Sequence, residues 1–335
     1  MSSFAIGVDL GGTNMRVAAV DDSGTPLEIV AAPTKLRLGR DHVLAEMANL
    51  IRALRGKYAG SRRLMGVGVG VPGVIDLESG TVCAAGNLPG WSDYPVRNEL
   101  EDILDVPVVL ENDANCAALG EKWVGAGQYV DDLCMLTLGT GVGGGFVVKG
   151  RPWHGVLGMA GEFGHMTVMP EGPPCPCGSR GCLEQYASAT AIKRMAAEVI
   201  AQGKSPGLAR LAALDSEFTA RSVFEWACQG EPAACSIFET VGAALGIALG
   251  NLINALNLPL YVVGGGGAGA WEAFSPSLFR ELGRRSIVFR AGEPLKSRHK
   301  GTTVARSLLQ ESAGFLGAAR LPMLLEAPNC YSTAC

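Results

Sequence analysis

The chain has 335 residues, 48% of them apolar and 18% charged, with a formal net charge of -4. That length supports two domains with substantial cores, and the composition excludes intrinsic disorder. The mildly acidic balance lacks the basic footprint of a nucleic-acid-binding surface.

The N-terminus, Met1-Ser2-Ser3-Phe4, carries no basic region, apolar stretch and cleavage site in series, so no secretory signal is expected. Residues 4–8 read as a buried strand that leads into Asp9-Leu10-Gly11-Gly12-Thr13, and residues 15–20 read as a return strand. Such a glycine-rich tip lets backbone N–H groups approach a phosphate closely. Thr13 adds a hydroxyl, and Asp9 is placed to hold Mg²⁺ through water. A plain hairpin accounts for the glycines but not for an acid at the end of an apolar strand. No Gly-Lys-Ser/Thr follows, which excludes a Walker A loop, and a following strand excludes a dinucleotide fingerprint.

Residues 43–54 show helical periodicity, and 64–71 form a strand ahead of Pro72-Gly73. Residues 106–110 are a short buried strand that runs on through Glu111 to Asn112 and Asp113, and 115–122 are helix-like. Ligands of α/β folds bind at the carboxyl ends of strands, where Asp113 is placed to accept a proton from a substrate hydroxyl and Asn112 to fix that hydroxyl. Helix capping accounts for Asp113 equally well at this level, and both readings stand.

A second glycine-tipped hairpin follows about 130 residues after the first, beyond any solenoid period. Residues 135–138 lead into Gly139-Thr140-Gly141-Val142-Gly143-Gly144-Gly145, and 146–148 return. The repetition points to an internal duplication of two α/β domains. Next come Gly161-Glu162-Phe163-Gly164-His165 and a Gly/Pro/Cys-rich loop over 170–181, with Cys175-Pro176-Cys177 closed by Cys182. One imidazole and three thiols match a closed tetrahedral zinc site, and thiolates select zinc over Mg²⁺. A loop so poor in apolar residues needs such a staple. The remaining cysteines, at 83, 116, 134, 228, 235, 330 and 335, are scattered and read as small hydrophobes. His42, His154 and His299 have no comparable neighbours and read as ordinary histidines. Glu162 and Glu184 flank the metal loop, where carboxylates can accept from adjacent sugar hydroxyls, although each taken singly reads better as a solvated carboxylate.

Residues 183–257 are largely helical. The apolar stretch 241–260 is interrupted by Asn251, Asn254 and Asn257 and reads as a buried helix rather than a membrane span. A strand over 260–263 ends in Gly264, residues 307–325 are helical, and 328–335 look like a frayed tail. A cytoplasmic protein with no membrane partner is the expectation.

Taken together, the motifs at 9–16, 67–76, 87–91, 111–121, 138–145, 161–165, 175–184 and 262–269 resemble, in order, the ROK family of sugar kinases, repressors and open reading frames. The Cys-x-Cys-Gly-x-x-Gly-Cys-x-Glu segment is the most specific of them. The resemblance implies an α/β, two-domain, actin-like ATPase (ribonuclease H-like) fold with the active site in an inter-domain cleft. Residues 1–118, completed by the C-terminal helix within 307–335, would form one domain, and 119–306 the other, with the zinc loop. It implies Asp113 as catalytic base, with Asn112, Asp113, Glu162, His165, Glu184 and Gly73 on the sugar. Asp9, Gly11, Gly12 and Thr13 match the first phosphate loop, Thr140 and Gly141 the second, and Gly265 and Gly266 the adenosine side. His165, Cys175, Cys177 and Cys182 would hold structural Zn²⁺, with ATP and Mg²⁺ in the reaction.

Repressors of the family carry a DNA-binding helix-turn-helix before the first phosphate loop, for which the residues before Asp9 leave no room, so no nucleic-acid partner is expected. Residues 67–76, 87–91 and 184–188 are most similar to ATP-dependent glucokinases of the family. Relatives that act on N-acetylmannosamine, N-acetylglucosamine, allose or fructose share the catalytic core. A non-catalytic sugar sensor and a polyphosphate-dependent kinase remain as alternatives. The resemblance also implies a homodimer or a dimer of dimers.

Overall fold

The computed structural model describes residues 2–86, 88–292 and 301–326. Asn87 of the 87–91 motif, His299 and the tail 328–335 lie outside the described residues.

The chain opens with β1 (Ser3–Leu10), β2 (Asn14–Asp21) and β3 (Pro26–Pro33), then α1 (Arg40–Tyr58) and β4 (Arg63–Val71). The short strands β5 (Val74–Asp76) and β6 (Thr81–Ala84) pair with each other ahead of α2 (Val96–Leu104), β7 (Val108–Asn112) and α3 (Asp113–Val124). The second half begins with β8 (Leu133–Leu138), β9 (Val142–Val148) and β10 (Arg151–Pro152). Helices α4 (Glu184–Ala187), α5 (Ala189–Ala201), α6 (Pro206–Leu214), α7 (Ala220–Cys228) and α8 (Pro232–Leu256) follow. The chain continues through β11 (Leu260–Gly264), α9 (Trp271–Arg285), α10 (Ile287–Gly292), β12 (Thr303–Arg306) and α11 (Ala313–Glu326).

Two five-stranded sheets repeat one plan: β3-β2-β1-β4-β7 and β10-β9-β8-β11-β12. In the first, β1 and β2 are antiparallel while β1, β4 and β7 run parallel. In the second, β9 and β10 are antiparallel while β8, β11 and β12 run parallel. The matching order bears out the reading of a duplicated glycine-tipped hairpin. Strands β1, β4, β8 and β11 are near-continuous apolar runs because parallel strands are covered on both faces.

Packing groups the chain into two units: Met1–Asp131 with Gly145–Gly161 and Glu311–Cys335, and Asp132–Gly144 with Glu162–Gln310. The domain boundary expected after residue 118 therefore falls inside α3, a single continuous helix that packs on α11 in the first unit. Two further differences concern β9 and the C-terminal stretch. Strand β9 starts at Val142, so the turn is confined to Gly139–Gly141 and residues 143–145 lie in the strand. Gly145 is needed there because a Cβ would meet the Ala114 carbonyl oxygen at 2.9 Å. Strand β12 lies just ahead of the stretch 307–325 read as helical, and α11 begins only at Ala313. Helix α8 is long and apolar enough to cross a membrane by length and composition, but most of that stretch is buried within its unit against α9.

Within the first unit, α11 lies directly on backbone. A Cβ at Gly317 would overlap the Cys116 carbonyl oxygen of α3, one at Gly68 the Ala318 carbonyl oxygen, and one at Gly7 the Phe315 carbonyl oxygen. None of these neighbours is the end of a flexible side chain that could step aside. Gly317→Ala is therefore expected to destabilise the protein by about 3 kcal/mol or more, at the upper end for overpacking, because helix axes must separate. Denaturant unfolding measures this, and a loss below ~1 kcal/mol would contradict the close approach.

Candidate active site

In the first unit, register aligns Asp9 of β1 with Gly70 of β4, and Gly70 with Glu111 of β7, at the carboxyl ends of three parallel strands. Gly70 has no side chain, so the first turn of α3 settles over it. A Cβ there would lie 3.0 Å from Cys116 Sγ and 3.5 Å from Asp113 Cα. The Cys116 thiol is held well above its usual range, first by burial and then by the charges of Glu111, Asp9 and Asp113, which marks three carboxylates around one point.

The helix cap is now decided. Asn112 has extended φ/ψ, and its Oδ1 accepts from the N–H groups of Ala114 (2.9 Å) and Asn115 (3.2 Å). Its Nδ2 donates to the carbonyl of Gly73 at 3.1 Å, so Asn112 and Gly73 do come together. Asp113 stands one position inside the helix, with its Oδ1 accepting from Ala114 N–H at 2.8 Å. Capping thus accounts for Asn112, and the carboxylate at 113 needs another explanation. A negative charge here also suits the positive end of α3.

At the first hairpin, Gly11 N–H donates to the Asn14 carbonyl at 2.9 Å, leaving Gly12 and Thr13 exposed at the tip. Thr34, a buried residue that sequence reasoning passed over, fastens the tip. Its Oγ1 donates to the Gly11 carbonyl at 2.6 Å and its N–H to the Thr13 carbonyl at 2.9 Å. Burial pushes the Asp9 carboxyl up to about 6 against the pull of Arg16, whose guanidinium lies 4.0 Å away and is shared with Glu311 at 2.5 Å. Gly314 at the start of α11 presses on this carboxylate, since a Cβ there would sit 2.6 Å from Asp9 Cγ.

A second omission concerns His154. It is not an ordinary histidine: its Nε2 lies 2.6 Å from Oε2 of Glu111, a side chain only 4% exposed. The hydrogen bond to Glu111 raises the His154 pKa, against the opposing effect of burial. A buried acid within an apolar strand was the one available signal, because such an acid requires a partner.

In the second unit, the hairpin tip repeats the first: Gly139 N–H donates to the Gly141 carbonyl at 2.9 Å, and Thr140 is exposed. Helices α4 and α5 clamp this tip. Glu184 Oε2 accepts the Val142 N–H at 2.9 Å, Ala189 N–H donates to the Gly139 carbonyl at 2.9 Å, and Thr190 Oγ1 donates to the Thr140 carbonyl at 2.8 Å. Glu184, expected beside a sugar, therefore commits one carboxylate oxygen to the hairpin. Gly265 adopts φ +77 and approaches the Leu138 backbone where β8 ends, while Gly266 beside it is exposed.

The Nδ1 of His165 and the sulfurs of Cys175, Cys177 and Cys182 all lie in one cluster whose ligand atoms are within 4.8 Å of one another. The separations Cys177 Sγ–Cys182 Sγ and His165 Nδ1–Cys175 Sγ are both 3.7 Å. A tetrahedral zinc with ~2.3 Å bonds to sulfur requires edges of roughly 3.8 Å, so the donor set fits the ion. Burial, with the neighbouring thiols, pushes Cys182 up to about 12, a value that a cation among the sulfurs would reverse. The other ring nitrogen, Nε2, faces Glu162 at 3.9 Å, and both side chains are substantially exposed.

The chain matches the ROK family over residues 5–323. A glucokinase of Halalkalibacterium halodurans is 42% identical over 263 residues, which cover 78% of this chain and 79% of its own. A glucokinase of Thermotoga maritima is 38% identical over 317 residues, 94% of this chain and 96% of its own. Among solved structures, a ROK family glucokinase from Streptomyces griseus in complex with glucose and AMPPNP aligns with a TM-score of 0.77 at 33% identity. That alignment covers 95% of this chain and 99% of that one.

Asp9 yields a pH prediction. Its folded pKa of about 6 lies above the ordinary 3.8, so holding it ionised costs stability. The cost is absent below pH 4, grows between pH 4 and 6, and is complete above that window. Asp9→Asn should raise the stability of ligand-free protein at pH 8 by about 1–2 kcal/mol, allowing for residual solvent screening, and the gain should vanish near pH 4. Thermal melts at the two pH values measure it, and an Asn variant less stable than wild type at pH 8 would refute the account.

Proposed function

This chain belongs to the ROK family, and on that premise we propose that it transfers the γ-phosphoryl group of ATP to the 6-hydroxyl of glucose. It is a sugar kinase, as the relatives at 38% and 42% identity are by name. The single observation that carries the mechanism is Asp113. It is a carboxylate at the end of β7 and the start of α3, in a helix already capped by Asn112.

In the proposed reaction, Asn112, Glu162, His165 and Glu184 bind the sugar hydroxyls, and the backbone at Gly73 supports Asn112. Asp113 takes the proton of the 6-hydroxyl. That oxygen forms its bond to the γ-phosphorus as the bond to the β-phosphate oxygen breaks, and ADP leaves. Gly11, Gly12 and Thr13 from the first hairpin, and Thr140 and Gly141 from the second, present backbone N–H groups and hydroxyls to the phosphates. Gly265 and Gly266 leave room for the nucleoside. Asp9 would hold Mg²⁺ through water, and its buried charge gains most from a cation. When bound, Mg²⁺ neutralises phosphate charge.

His165, Cys175, Cys177 and Cys182 would hold zinc, which supplies a rigid fold for a loop with few apolar contacts. With Nδ1 turned toward the sulfurs, His165 keeps Nε2 for a sugar hydroxyl, and metal ligation fixes that tautomer. The zinc shapes the sugar side and takes no part in the phosphoryl step.

A coupled assay of ATP and polyphosphate against glucose, mannose, fructose, allose and the N-acetylhexosamines tests the reading, with glucose and ATP expected to give the highest kcat/KM. No transfer to any sugar would leave a sensor. Asp113→Asn should lower kcat by about 10²–10⁴-fold while glucose binding, followed calorimetrically, largely survives. Turnover within tenfold of wild type would remove Asp113 from its role. Metal analysis of purified protein should find about one zinc per chain. Full activity in zinc-free protein would refute a structural zinc.

A further inference from the structure

The buried Glu111 carboxylate is the hub on which the first turn of α3 is hung. Its Oε1 accepts the backbone N–H of Asn112 at 2.8 Å and the side-chain amide of Asn115 at 3.1 Å. Its Oε2 is held by His154 at 2.6 Å. Asn115 turns its amide group to this carboxylate although its own carbonyl oxygen is then buried with no partner among the described residues. Asn112, fixed by the same carboxylate, caps α3 and reaches Gly73. Asp113 is the next residue.

We propose that His154 is a positioning residue for catalysis: by fixing the orientation of the Glu111 carboxylate through Oε2, it sets the place of Asn112 and of the proton-accepting group of Asp113. The inference rests on the kinase reading above. Oε2 has His154 as its hydrogen-bond partner, and a buried acceptor stripped of its partner is costly. Without His154, Oε2 is left unpaired and the carboxylate turns toward another donor. A carboxylate that turns no longer presents Oε1 to the N–H groups of Asn112 and Asn115 that are aimed at it. The first turn of α3 then relaxes, and a displacement of about 1 Å at a proton acceptor is enough to cost ~10²-fold in rate. His154 touches neither sugar nor nucleotide in this account. Its loss should therefore appear in the transition state and much less in ground-state binding.

The arrangement also accounts for a histidine in the loop that follows β10. That loop packs back on the same unit, where Ala160 N–H donates to the His154 carbonyl at 3.0 Å and a Cβ at Gly158 would lie 2.9 Å from the Ile75 carbonyl oxygen. The loop thus seats its imidazole against β7 from a fixed base.

The test is steady-state kinetics with glucose and ATP on wild type, His154→Ala and His154→Gln, with thermal melts alongside. His154→Ala should lose about tenfold or more in kcat, with both KM values within about threefold of wild type. His154→Gln keeps an N–H donor near the position of Nε2 and should recover most of the loss. Wild-type kcat in the Ala variant overturns the proposal. So does equal impairment of Ala and Gln variants, or a loss that appears as raised KM alone. Should the Ala variant not fold, His154→Gln is compared with Glu111→Gln: high kcat in the first and low kcat in the second sustains the proposal, and any other pattern overturns it. An active wild type indifferent to His154 fails this inference only, whereas a wild type inactive on every sugar fails the kinase reading and the inference together.

Discussion

Helix α11 rests on peptide groups rather than on side chains, and the first unit is arranged around that contact. Glycines at 7, 68, 120 and 317 bring its backbone against β1, β4 and α3, where even a methyl group has no space. Interiors pack at near-crystalline density and yield little, so a helix seated on backbone fixes its neighbours in the same act. The consequences reach the site. Gly314 at the start of α11 lies against Asp9, and α3, whose first turn carries Asp113, is held between α11 and the sheet. The acids of the candidate site inherit their positions from residues that have no chemistry.

Charge is the second organising quantity. Asp9 and Glu111 occupy one row across three parallel strands, both largely withdrawn from water. The two are treated differently. Glu111 has three hydrogen bonds, one of them with His154, the pattern of a carboxylate held still. Asp9 has only a distant guanidinium that is shared with Glu311, and its pKa rises. A settled charge suits a scaffold, and an under-compensated one suits a group that awaits a cation.

The second unit reuses the same hairpin with other means of fastening. In the first unit, Thr34 ties the tip. In the second, Glu184, Ala189 and Thr190 do so, and Glu184 follows directly on the cysteine segment. The His/Cys cluster and the second glycine-tipped hairpin are thereby joined through one short helix. Cys182 of that cluster lies two residues from Glu184, the clamp on the hairpin. Both sheets keep one strand order, and the units differ in what is inserted between the strands.

Contiguous patterns were legible without a structure. The cysteine spacing marked the four-residue His/Cys cluster, the glycine tips marked both hairpins, and apolar runs marked most strands and helices, because each depends on neighbours within a few residues. Adjacent residues with equal local merit were not separable: Asn112 and Asp113 are both good caps, and only the observed φ/ψ and N–H partners give the cap to Asn112. Strand β9 looked like turn because glycine at 145 answers to the approach of α3, from a distant stretch of sequence. Glu111 and His154 are 43 residues apart and share no motif. A buried charge announces in sequence that it needs a partner, but which residue arrives is settled by the path of the backbone, and that path is a property of the packed whole.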